Sequence, residues 1–575
     1  MRIMTLNTTL TVSAQVEIEE LAELKANGVT SLVCNRPDGE SQDQVAFETL
    51  SAAAEALGIT VVNLPFKSGE QTDAQVQKFA DLLEEAQAKS EKVHAYCRTG
   101  NRSTCLWSAA AVSRGASAQE VLATAKEVGF DVSDAVKPYV KDNELTASSA
   151  PNEGAAKPSF DVVIVGAGSG GIAAAASLLK RKGDLRIALD LRIALIDPAE
   201  SHYYQPGWTM VGGGVFNNTQ TKRNMRDLIP HNVSWIKQSV VGFTPTENTV
   251  LLDNEQSLHY QQLIVAPGLV LNWDGIKGLK KSLGKNGVTS NYSYEHSAYT
   301  WELVKGLKKG RAIFTQPPMP IKCAGAPQKA LYLSGDHWYR TGALKDISID
   351  FFNAGGVLFG VAAYVPALQS YIDKYKAKTH FNHTLIEVDG ANKRAYFKSS
   401  EAGKENEVIC EEFDMIHVCP PQKSPEFVAK SALADAGGWL DVDQFCLQHK
   451  KFANVWGLGD VMNTPNAKTM AAVRKQVPVV AANIINTLKG KELQAGYDGY
   501  GSCPLTVERG KIVLAEFGYG GKLLPSFPSF ILNGTCPTWA AWILKKDMLP
   551  AIYWHAMLKG REWLAAPKKL KSLKG

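Results

Sequence analysis

The sequence predicts an α/β protein with two folded units, and three observations support this prediction. Up to about Leu145, short apolar runs such as SLVCN and KVHAYC alternate with helix-like stretches. Residues 146–159 are small, polar and proline-containing, which is typical of a flexible connector. Beyond them, FDVVIV precedes a glycine-rich turn and an Ala-rich helical stretch, and strand patterns recur at QQLIVAPG, RAIFTQ, ISIDFF, MIHVCPP and NVWGLGD. The second unit is therefore expected to hold two interleaved nucleotide-binding-type subdomains.

The composition is typical of a folded protein and gives no indication of nucleic-acid binding. The 575 residues are 45% hydrophobic and 21% charged, which is ordinary for folded domains. The net charge of +5, from 62 basic and 57 acidic residues, gives no indication of nucleic-acid binding. Nine cysteines without CxxC pairs indicate reduced thiols, and no metal site is predicted. We find neither a secretory signal nor an apolar run of membrane-spanning length, so at most peripheral membrane contact is expected.

One cysteine of the first unit lies in a setting typical of a reactive thiol. VHAYCRTGNRS places Cys97 after a strand pattern, Gly100 in the following turn and Arg102 before an Ala-rich helical stretch. Such a loop directs backbone N–H groups and the positive end of a helix dipole inward, so it can hold an anion. Cys97 is therefore predicted to be a nucleophile supported by Arg102, whereas Cys34 and Cys105 are expected to pack.

The segment up to about residue 145 resembles the phosphatase-fold family related to beta-lactamase-hydrolase-like proteins. Its loop is similar to those of tyrosine phosphatases and rhodaneses. Only four residues separate Cys97 from Arg102, whereas phosphatases place five there, so the resemblance favours rhodanese-like sulfur transfer over phosphate hydrolysis. By that resemblance Cys97 would carry a persulfide, while Arg102 and the loop amides would hold the anionic sulfur donor or acceptor.

A dinucleotide fingerprint opens the second unit. Gly166, Gly168 and Gly171 form GxGxxG directly after the strand pattern DVVIV and before the Ala-rich helix. The first two glycines permit a tight turn and close approach to a pyrophosphate, and the third permits helix packing on the strand. A bound dinucleotide is therefore predicted.

The acidic residue expected to bind the adenine ribose is Asp197, at the end of the next strand pattern, RIALID. It follows Gly171 by 26 residues, and the hexapeptide DLRIAL occurs in tandem between them, at Asp184–Leu189 and Asp190–Leu195. Removing one copy leaves 20 residues, the usual spacing. The duplication is thus expected to lengthen the connection without moving Asp197 from the strand end.

Two later segments resemble those of flavoproteins with two dinucleotide-binding domains. LIVAPG contains Ala266 and Gly268, and VWGLGD contains Gly459 and Asp460, whose counterpart in such proteins meets the ribityl chain of the flavin. Together with the fingerprint they imply FAD. A second complete glycine fingerprint is missing from the middle of this unit, so a pyridine nucleotide is not expected as the partner.

The region from about Ser159 onward resembles the sulfide:quinone oxidoreductase family. The segments that carry the resemblance are HYYQPGWTMVGGG, PIKCAGAPQKALYL and YGSCPLTVERGKIVLAEF. The resemblance implies that Cys323 lies beside the flavin and passes it two electrons. The family's second redox cysteine commonly follows the GD pair, where this chain has Val461. Cys419 and Cys503 are the candidate substitutes, and the sequence alone does not choose between them.

The C-terminal stretch from residue 526 to 575 is predicted to be amphipathic and to touch a membrane. Tryptophans are interleaved with apolar residues there, and the chain ends in PKKLKSLKG. Such a stretch can lie in the bilayer interface with lysines toward anionic headgroups. The expected organisation is a phosphatase-like domain at 1–145, a connector at 146–159, an FAD domain at 160–525 and a membrane-associated region at 526–575. A peripheral position on the cytoplasmic face of the inner membrane is expected.

The resulting hypothesis is a sulfide:quinone oxidoreductase fused to a sulfurtransferase domain. Hydrosulfide would attack an oxidised sulfur at Cys323, electrons would pass through FAD to a membrane quinone, and a small thiol or Cys97 would accept the sulfur. Two alternatives stay open. One pairs a phosphatase-like domain with another quinone-linked flavin dehydrogenase, and the other is a non-enzymatic sulfide or redox sensor.

Overall fold

A computed structural model describes residues 3–41, 44–130, 132–140, 159–181 and 191–574. The first DLRIAL copy and nearly all of the predicted connector lie outside these residues. The chain divides into two compact units, one formed by Met1–Lys157 with Leu252–Ser257 and the other by Pro158–Leu251 with Leu258–Gly575.

The first unit is built on a five-stranded sheet with strand order β1-β2-β5-β3-β4, in which only the β1–β2 pair is antiparallel. Its strands are β1 (Met4–Thr5), β2 (Leu10–Ser13), β3 (Val29–Cys34), β4 (Thr60–Asn63) and β5 (Lys92–Tyr96). Its helices are α1 (Leu21–Ala26), α2 (Phe47–Ala56), α3 (Asp73–Ala88), α4 (Asn101–Ser113), α5 (Ala118–Glu127) and α6 (Ser133–Val136).

Burial of the central strands positions the loop of Cys97. Four consecutive residues of β5 are buried, as expected of a parallel strand covered on both faces. Helix α4 follows the strand after a four-residue loop that includes Gly100, whose φ of 94° lies in the left-handed region. The strand, loop and helix predicted around Cys97 are therefore present.

The second unit contains the remaining strands and helices. The strands are β6 (Ser159–Val165), β7 (Ile193–Ile196), β8 (Ser201–Tyr203), β9 (Lys222–Asn224), β10 (Val233–Ile236), β11 (Val240–Thr244), β12 (Thr249–Leu252), β13 (Ser257–Val265), β14 (Val270–Leu271), β15 (Val288–Thr289), β16 (Gly310–Gln316), β17 (Ile347–Asn353), β18 (Lys378–Phe381), β19 (His383–Asp389), β20 (Arg394–Ser399), β21 (Val408–Glu412), β22 (Met415–His417), β23 (Gln422–Lys423), β24 (Val455–Gly457), β25 (Ala495–Gly496), β26 (Gly501–Glu508), β27 (Lys511–Phe517) and β28 (Lys568–Lys569). The helices are α7 (Ser169–Arg181), α8 (Trp208–Gly212), α9 (Leu279–Ser282), α10 (Tyr294–Gly306), α11 (Ala326–Thr341), α12 (Val365–Lys374), α13 (Glu426–Ala429), α14 (Met470–Leu488), α15 (Trp539–Ile543), α16 (Leu549–His555) and α17 (Lys571–Lys574).

Two sheets with parallel centres organise this unit, as the recurring strand patterns predict. The first has the order β10-β7-β6-β13-β12-β11, with β24 also paired to β13, and its pairs from β10 to β13 and β24 are parallel. The second has the order β15-β22-β16-β17-β18 and is parallel throughout. Ligands of such sheets bind beyond the carboxyl ends of the strands. The glycine fingerprint follows the end of β6, and Cys323 lies in the connection that follows β16.

Candidate active site

The fingerprint glycines lie at the turn between β6 and α7. A Cβ on Gly166, whose φ is 97°, would lie 2.6 Å from the Ala266 carbonyl oxygen, and a Cβ on Gly171 would lie 1.9 Å from the Gly166 carbonyl oxygen. Gly168 faces open space, with no atom within 4 Å of an added Cβ. The turn therefore brings backbone N–H groups to a free surface at the start of a helix, where an anionic pyrophosphate can bind.

Asp197 follows β7 directly, as predicted. Its two carboxylate oxygens accept the backbone N–H groups of Ala167, at 2.7 Å, and Ala199, at 2.9 Å. Burial raises the pKa of Asp197 in spite of these two bonds. A carboxylate has about four acceptor positions, so Asp197 can steady the glycine turn and still accept a ribose hydroxyl.

The two other predicted flavin segments meet at one sheet edge. Strand β24 pairs with β13, so Gly459 and Asp460 follow one strand where Ala266 and Gly268 follow its neighbour. All four residues line a cavity of about 410 Å³ that also reaches Gly168. Burial raises the pKa of Asp460. These segments are brought together by strand pairing rather than by closeness in sequence.

Asn291 is an unsatisfied polar group in this cavity. Both polar atoms of its side chain are buried and have no hydrogen-bond partner within the described part of the chain. Buried amides without partners are costly, and a polar ligand in the cavity would satisfy this one. The glycine turn, Asp197 and Asn291 together fit a cofactor with a pyrophosphate, a ribose and a polar ring.

Two cysteines meet at the wall of this cavity, where Cys323 belongs to the lining. Cys323 lies between β16 and α11, and Cys503 lies in β26, yet their Sγ atoms are 3.4 Å apart. The approach depends on Gly325, because a Cβ there would lie 2.7 Å from the Cys503 sulfur. Cys323 has a φ of 80°, an uncommon conformation for a non-glycine residue that is typical of functional sites.

A buried lysine accompanies the pair. Lys329 Nζ lies 3.2 Å from the Cys323 sulfur and 3.7 Å from the Cys503 sulfur. The hydrogen bond from Cys503 and the positive charge of Lys329 hold the pKa of Cys323 well below its usual value, although burial opposes this. The same hydrogen bond, together with burial, raises the pKa of Cys503. The arrangement is thus a Cys323 thiolate, a Cys503 thiol that donates to it and an ammonium group.

A second lysine reaches the same region from the C-terminal part of the chain. Lys545 is 4% exposed and lines the cavity. Burial and the charge of Lys329 lower its pKa to about 8, against the opposing effect of the two cysteines. The described lining of the cavity contains five basic side chains, Lys322, Lys329, Lys468, Arg474 and Lys545, and two acidic ones, Asp460 and Glu516, so its charge favours an anion.

The remaining sequence candidates lie close by but do not join the pair. Cys419 is buried in an apolar cluster that contains Cys323, but its sulfur points to the Pro420 carbonyl oxygen at 3.9 Å. Burial raises its pKa, which makes it a poor nucleophile. Val461 is fully buried, and its carbonyl oxygen accepts the N–H of Leu440. Of the two candidate substitutes, Cys503 is the one whose sulfur lies within hydrogen-bond distance of Cys323.

In the first unit, Cys97 follows β5 and is buried. Its sulfur accepts the N–H of Gly100 at 3.1 Å, and the first-turn N–H groups of α4 have no helical acceptor. Arg102 is also buried, and both of its terminal nitrogens donate to the Glu40 carboxylate at 2.8 Å. Arg36 donates to Glu40 as well, and these guanidinium groups keep the pKa of Glu40 below its usual value although burial opposes this. Glu40 therefore fixes Arg102 beside the loop.

Comparison with known proteins identifies the family to which the second unit is similar. Residues 160–306 match the family model described as pyridine nucleotide-disulphide oxidoreductase. A mitochondrial sulfide:quinone oxidoreductase of Dictyostelium discoideum is 42% identical over 405 residues, which are 70% of this chain and 86% of that protein. The chain belongs to the sulfide:quinone oxidoreductase family. The Mus musculus member is 37% identical, with 70% of this chain and 88% of that protein covered.

A solved structure agrees on the fold of this family. The sulfide:quinone oxidoreductase of Aquifex aeolicus has a TM-score of 0.56 at 18% identity, with 70% of this chain and 91% of that chain covered. FAD is the cofactor of the sulfide:quinone oxidoreductase family, and the cavity described above fits it. Within the described residues, we find no helix that is both long and apolar enough to cross a bilayer.

The first unit matches a different family. Residues 1–116 match the phosphatase-like domain of beta-lactamase hydrolase-like proteins. A protein of that name from Xylella fastidiosa is 31% identical over 137 residues, which are 24% of this chain and 31% of that protein. The predicted fusion of this domain to a sulfide:quinone oxidoreductase is confirmed.

Several residues of the site escaped the sequence prediction. Lys329 follows Cys323 by six residues in the segment PIKCAGAPQKALYL, and this closeness in sequence is the signal that could have identified it. Lys545 comes from a distant segment, and Asn291 is identified only by its missing partner, so neither has a local signal. Glu40 lies 62 residues from Arg102, and nothing in the pattern of either residue indicates that they pair.

Proposed function

We propose that this chain oxidises hydrosulfide to sulfane sulfur and passes two electrons through FAD to a membrane quinone. The observation that carries the proposal is the 3.4 Å separation of the Cys323 and Cys503 sulfurs. Cys323 and Lys329 line the same cavity as Gly168 of the dinucleotide turn, and Lys329 lies 3.2 Å from the Cys323 sulfur. When bound, FAD accepts the two electrons and delivers them to the quinone. The chain's own residues handle the sulfur and the protons.

The sulfur separation suits a reversible bridge. A direct disulfide has an S–S length of about 2.05 Å, so the sulfurs would have to approach by little more than an ångström. Two such bonds through one added sulfur atom, at an open angle, span roughly 3.3 Å. The observed 3.4 Å is close to that span. The pair can therefore be linked with or without an extra sulfur atom with little movement of the backbone.

The charge of Lys329 decides which of the two sulfurs in the disulfide is attacked. Exchange is fastest when the leaving sulfur has the lower pKa, and Lys329 stabilises a thiolate on Cys323. Hydrosulfide therefore attacks the Cys503 side of a direct disulfide, the S–S bond breaks, and Cys323 leaves as a thiolate. The persulfide forms on Cys503. This differs from attack at Cys323, which the sequence suggested, because the sequence did not place Lys329.

The cycle then closes with balanced atoms and electrons. A thiol RSH removes the outer sulfur from Cys503 as RSS⁻, and the two cysteines lose two electrons and one proton as they form their bond again. The sum is HS⁻ + RSH + Q → RSS⁻ + QH₂, where Q is the quinone. Lys545, whose pKa is about 8, is placed to exchange a proton at neutral pH.

We also propose that Cys97 is a sulfur acceptor. A persulfide on Cys97 would accept hydrogen bonds from the loop N–H groups, as its thiol sulfur does from Gly100. Phosphate hydrolysis is the competing activity, and it needs a protonated acid for the leaving group. Glu40 is held ionised by Arg102 and Arg36, so it is a poor proton donor for a phosphate leaving group. This favours sulfur transfer.

Membrane contact is proposed for the C-terminal part of the chain. Trp539 is 67% exposed and Phe530 is 87% exposed. Met548, Trp563 and Leu564 are also exposed, and these three line the cavity. Apolar residues shared by a cavity mouth and the surface suit an enzyme that receives a quinone from a bilayer. Peripheral attachment to the cytoplasmic face of the inner membrane is part of this proposal.

The deciding experiment is anaerobic addition of sulfide to the FAD-loaded protein, followed by a soluble quinone. We expect the flavin absorbance to bleach with sulfide and to recover with quinone, with one quinone reduced per sulfide oxidised. Absence of bleaching in a fully loaded sample would refute sulfide as the substrate. Bleaching without recovery would favour the sensor alternative.

A further inference from the structure

A tyrosine from the C-terminal part of the chain is hydrogen-bonded to the dinucleotide turn. Tyr553 lies in α16 and is 1% exposed. Its hydroxyl lies 2.8 Å from Ser169 Oγ and 2.5 Å from His202 Nε2. Ser169 is the first residue of α7 and belongs to the glycine fingerprint. A residue 384 positions away in sequence therefore contacts the loop that receives the pyrophosphate.

The direction of these hydrogen bonds can be assigned. His202 Nδ1 lies 3.2 Å from the Ala167 carbonyl oxygen, which can only accept, so Nδ1 carries the proton. Burial lowers the pKa of His202 to about 4, so the ring is neutral and its Nε2 is an acceptor. Tyr553 then donates to His202 and accepts from Ser169. The chain of hydrogen bonds begins at Ser169 and ends at Ala167, both within the fingerprint.

Other contacts hold the same C-terminal segment against α7. Glu562 accepts hydrogen bonds from Ser177 and Arg181 on that helix. Gly560, with a φ of 64°, approaches so closely that a Cβ would lie 2.6 Å from the Ala176 carbonyl oxygen. The position of Tyr553 is therefore fixed independently of its hydroxyl.

We propose that Tyr553 is a positioning residue for FAD. Through Ser169 directly and through His202 to Ala167, it holds the pyrophosphate-binding turn in its binding conformation. Loss of its hydroxyl frees both ends of the turn, so FAD is released faster while the packing of the segment is retained. The inference rests on the FAD site of the proposed function but not on sulfide as the substrate.

The test is the rate of FAD release from full-length holoenzyme, followed by the rise of flavin fluorescence after dilution. We expect Tyr553→Phe to release FAD about ten-fold faster, because one or two buried hydrogen bonds are lost. Tyr260→Phe is the matched control, since its buried hydroxyl has no partner in the described structure and lies outside the cavity lining. Its release rate should match that of the wild type.

A second variant separates positioning from general destabilisation. His202→Asn can keep the bond to Ala167 but loses the acceptor for Tyr553, so it should also speed release. Both variants interrupt the same chain of hydrogen bonds between Ser169 and Ala167. The double variant should therefore release FAD no faster than Tyr553→Phe alone. A release rate within two-fold of wild type for Tyr553→Phe, or additive effects in the double variant, would overturn the proposal. Sulfide turnover is not needed for either readout, so a failure of the proposed substrate remains distinguishable.

Discussion

The sulfurs of Cys323 and Cys503 lie 3.4 Å apart although 180 residues separate them in the chain. One precedes a helix and the other belongs to an antiparallel hairpin, and the helix start and the strand are packed against each other. In the proposed function, Cys503 takes the part of the second redox cysteine, for which the sequence offers Val461 after the GD segment.

Replacing Cys503 with serine should abolish turnover, because the bridge to Cys323 can no longer form. We expect sulfide-dependent quinone reduction to fall by more than about 100-fold, with FAD content unchanged. Steady-state assays with a soluble quinone measure this. Cys410→Ser, at an exposed position, is the matched control. If Cys419→Ala were inactive and Cys503→Ser active, Cys419 would be the partner instead.

Lys329 should set the pH at which Cys323 reacts. Because its ammonium group lowers the pKa of Cys323, Lys329→Met should raise that pKa, and alkylation of Cys323 should then require a pH about one to three units higher. Mass spectrometry of the iodoacetamide-labelled peptide over a pH series measures the shift. Lys329→Arg keeps the charge and should stay near the wild-type profile. An unchanged profile in Lys329→Met would show that hydrogen bonding by Cys503 alone is sufficient.

Cys97→Ser should separate the two proposed activities. Flavin bleaching by sulfide and recovery with quinone should stay within about two-fold of wild type, whereas persulfide transfer through the first unit should be lost. Persulfide on the Cys97 peptide after turnover, detected by mass spectrometry, is the direct readout. Cys105→Ser, eight residues further along, provides the comparison variant. Full transfer by Cys97→Ser would remove Cys97 from the route of the sulfur.

Removing exposed tryptophans should weaken binding to lipid vesicles. Trp539 and Trp563 are both more than half exposed. Their joint replacement by alanine should lower vesicle partitioning by at least about ten-fold, since each indole buries a large apolar surface. Co-sedimentation with anionic vesicles measures the effect. The single variant Trp539→Ala, whose side chain does not line the cavity, should keep turnover with a water-soluble quinone near that of the wild type. Equal sedimentation of variant and wild type would place the membrane contact elsewhere.

Acid should destabilise the first unit through His94. Its ring nitrogens bond Thr11 and Ser13, each at 2.8 Å, and burial lowers its pKa to about 4. Between that value and the unfolded pKa near 6.5, the unfolded chain binds more protons. The free energy of unfolding should therefore fall as the pH drops through this window, by up to about 3 kcal/mol.

Hydrogen exchange of β2 and β5 at pH 4.5 and pH 7, corrected for intrinsic rates, measures this loss. The pH dependence should be smaller in His94→Gln, which has no titrating ring. The same slope in both proteins would assign the effect to other groups.

Sequence reasoning succeeded where local geometry dictates the residue. Positions 166 and 171 require glycine because nearby backbone atoms leave no room for a Cβ. This requirement produces the glycine spacing that identifies the motif in the sequence. Sequence reasoning failed to choose between Cys419 and Cys503, because that choice depends on how a hairpin packs against a helix far away in sequence. It likewise missed Lys545 and Tyr553, whose roles arise from the path of the C-terminal segment rather than from any motif.

Gly325 has a consequence for how the enzyme could evolve or be engineered. The gap between its helix and Cys503 is set by the absence of a methyl group, so even alanine would push the two sulfurs apart. A wider gap could accommodate a longer polysulfide chain but no direct disulfide. In the proposed cycle, packing at this glycine therefore limits the length of the sulfur bridge, and Gly325 is the position to vary in a search for variants that hold longer sulfur chains.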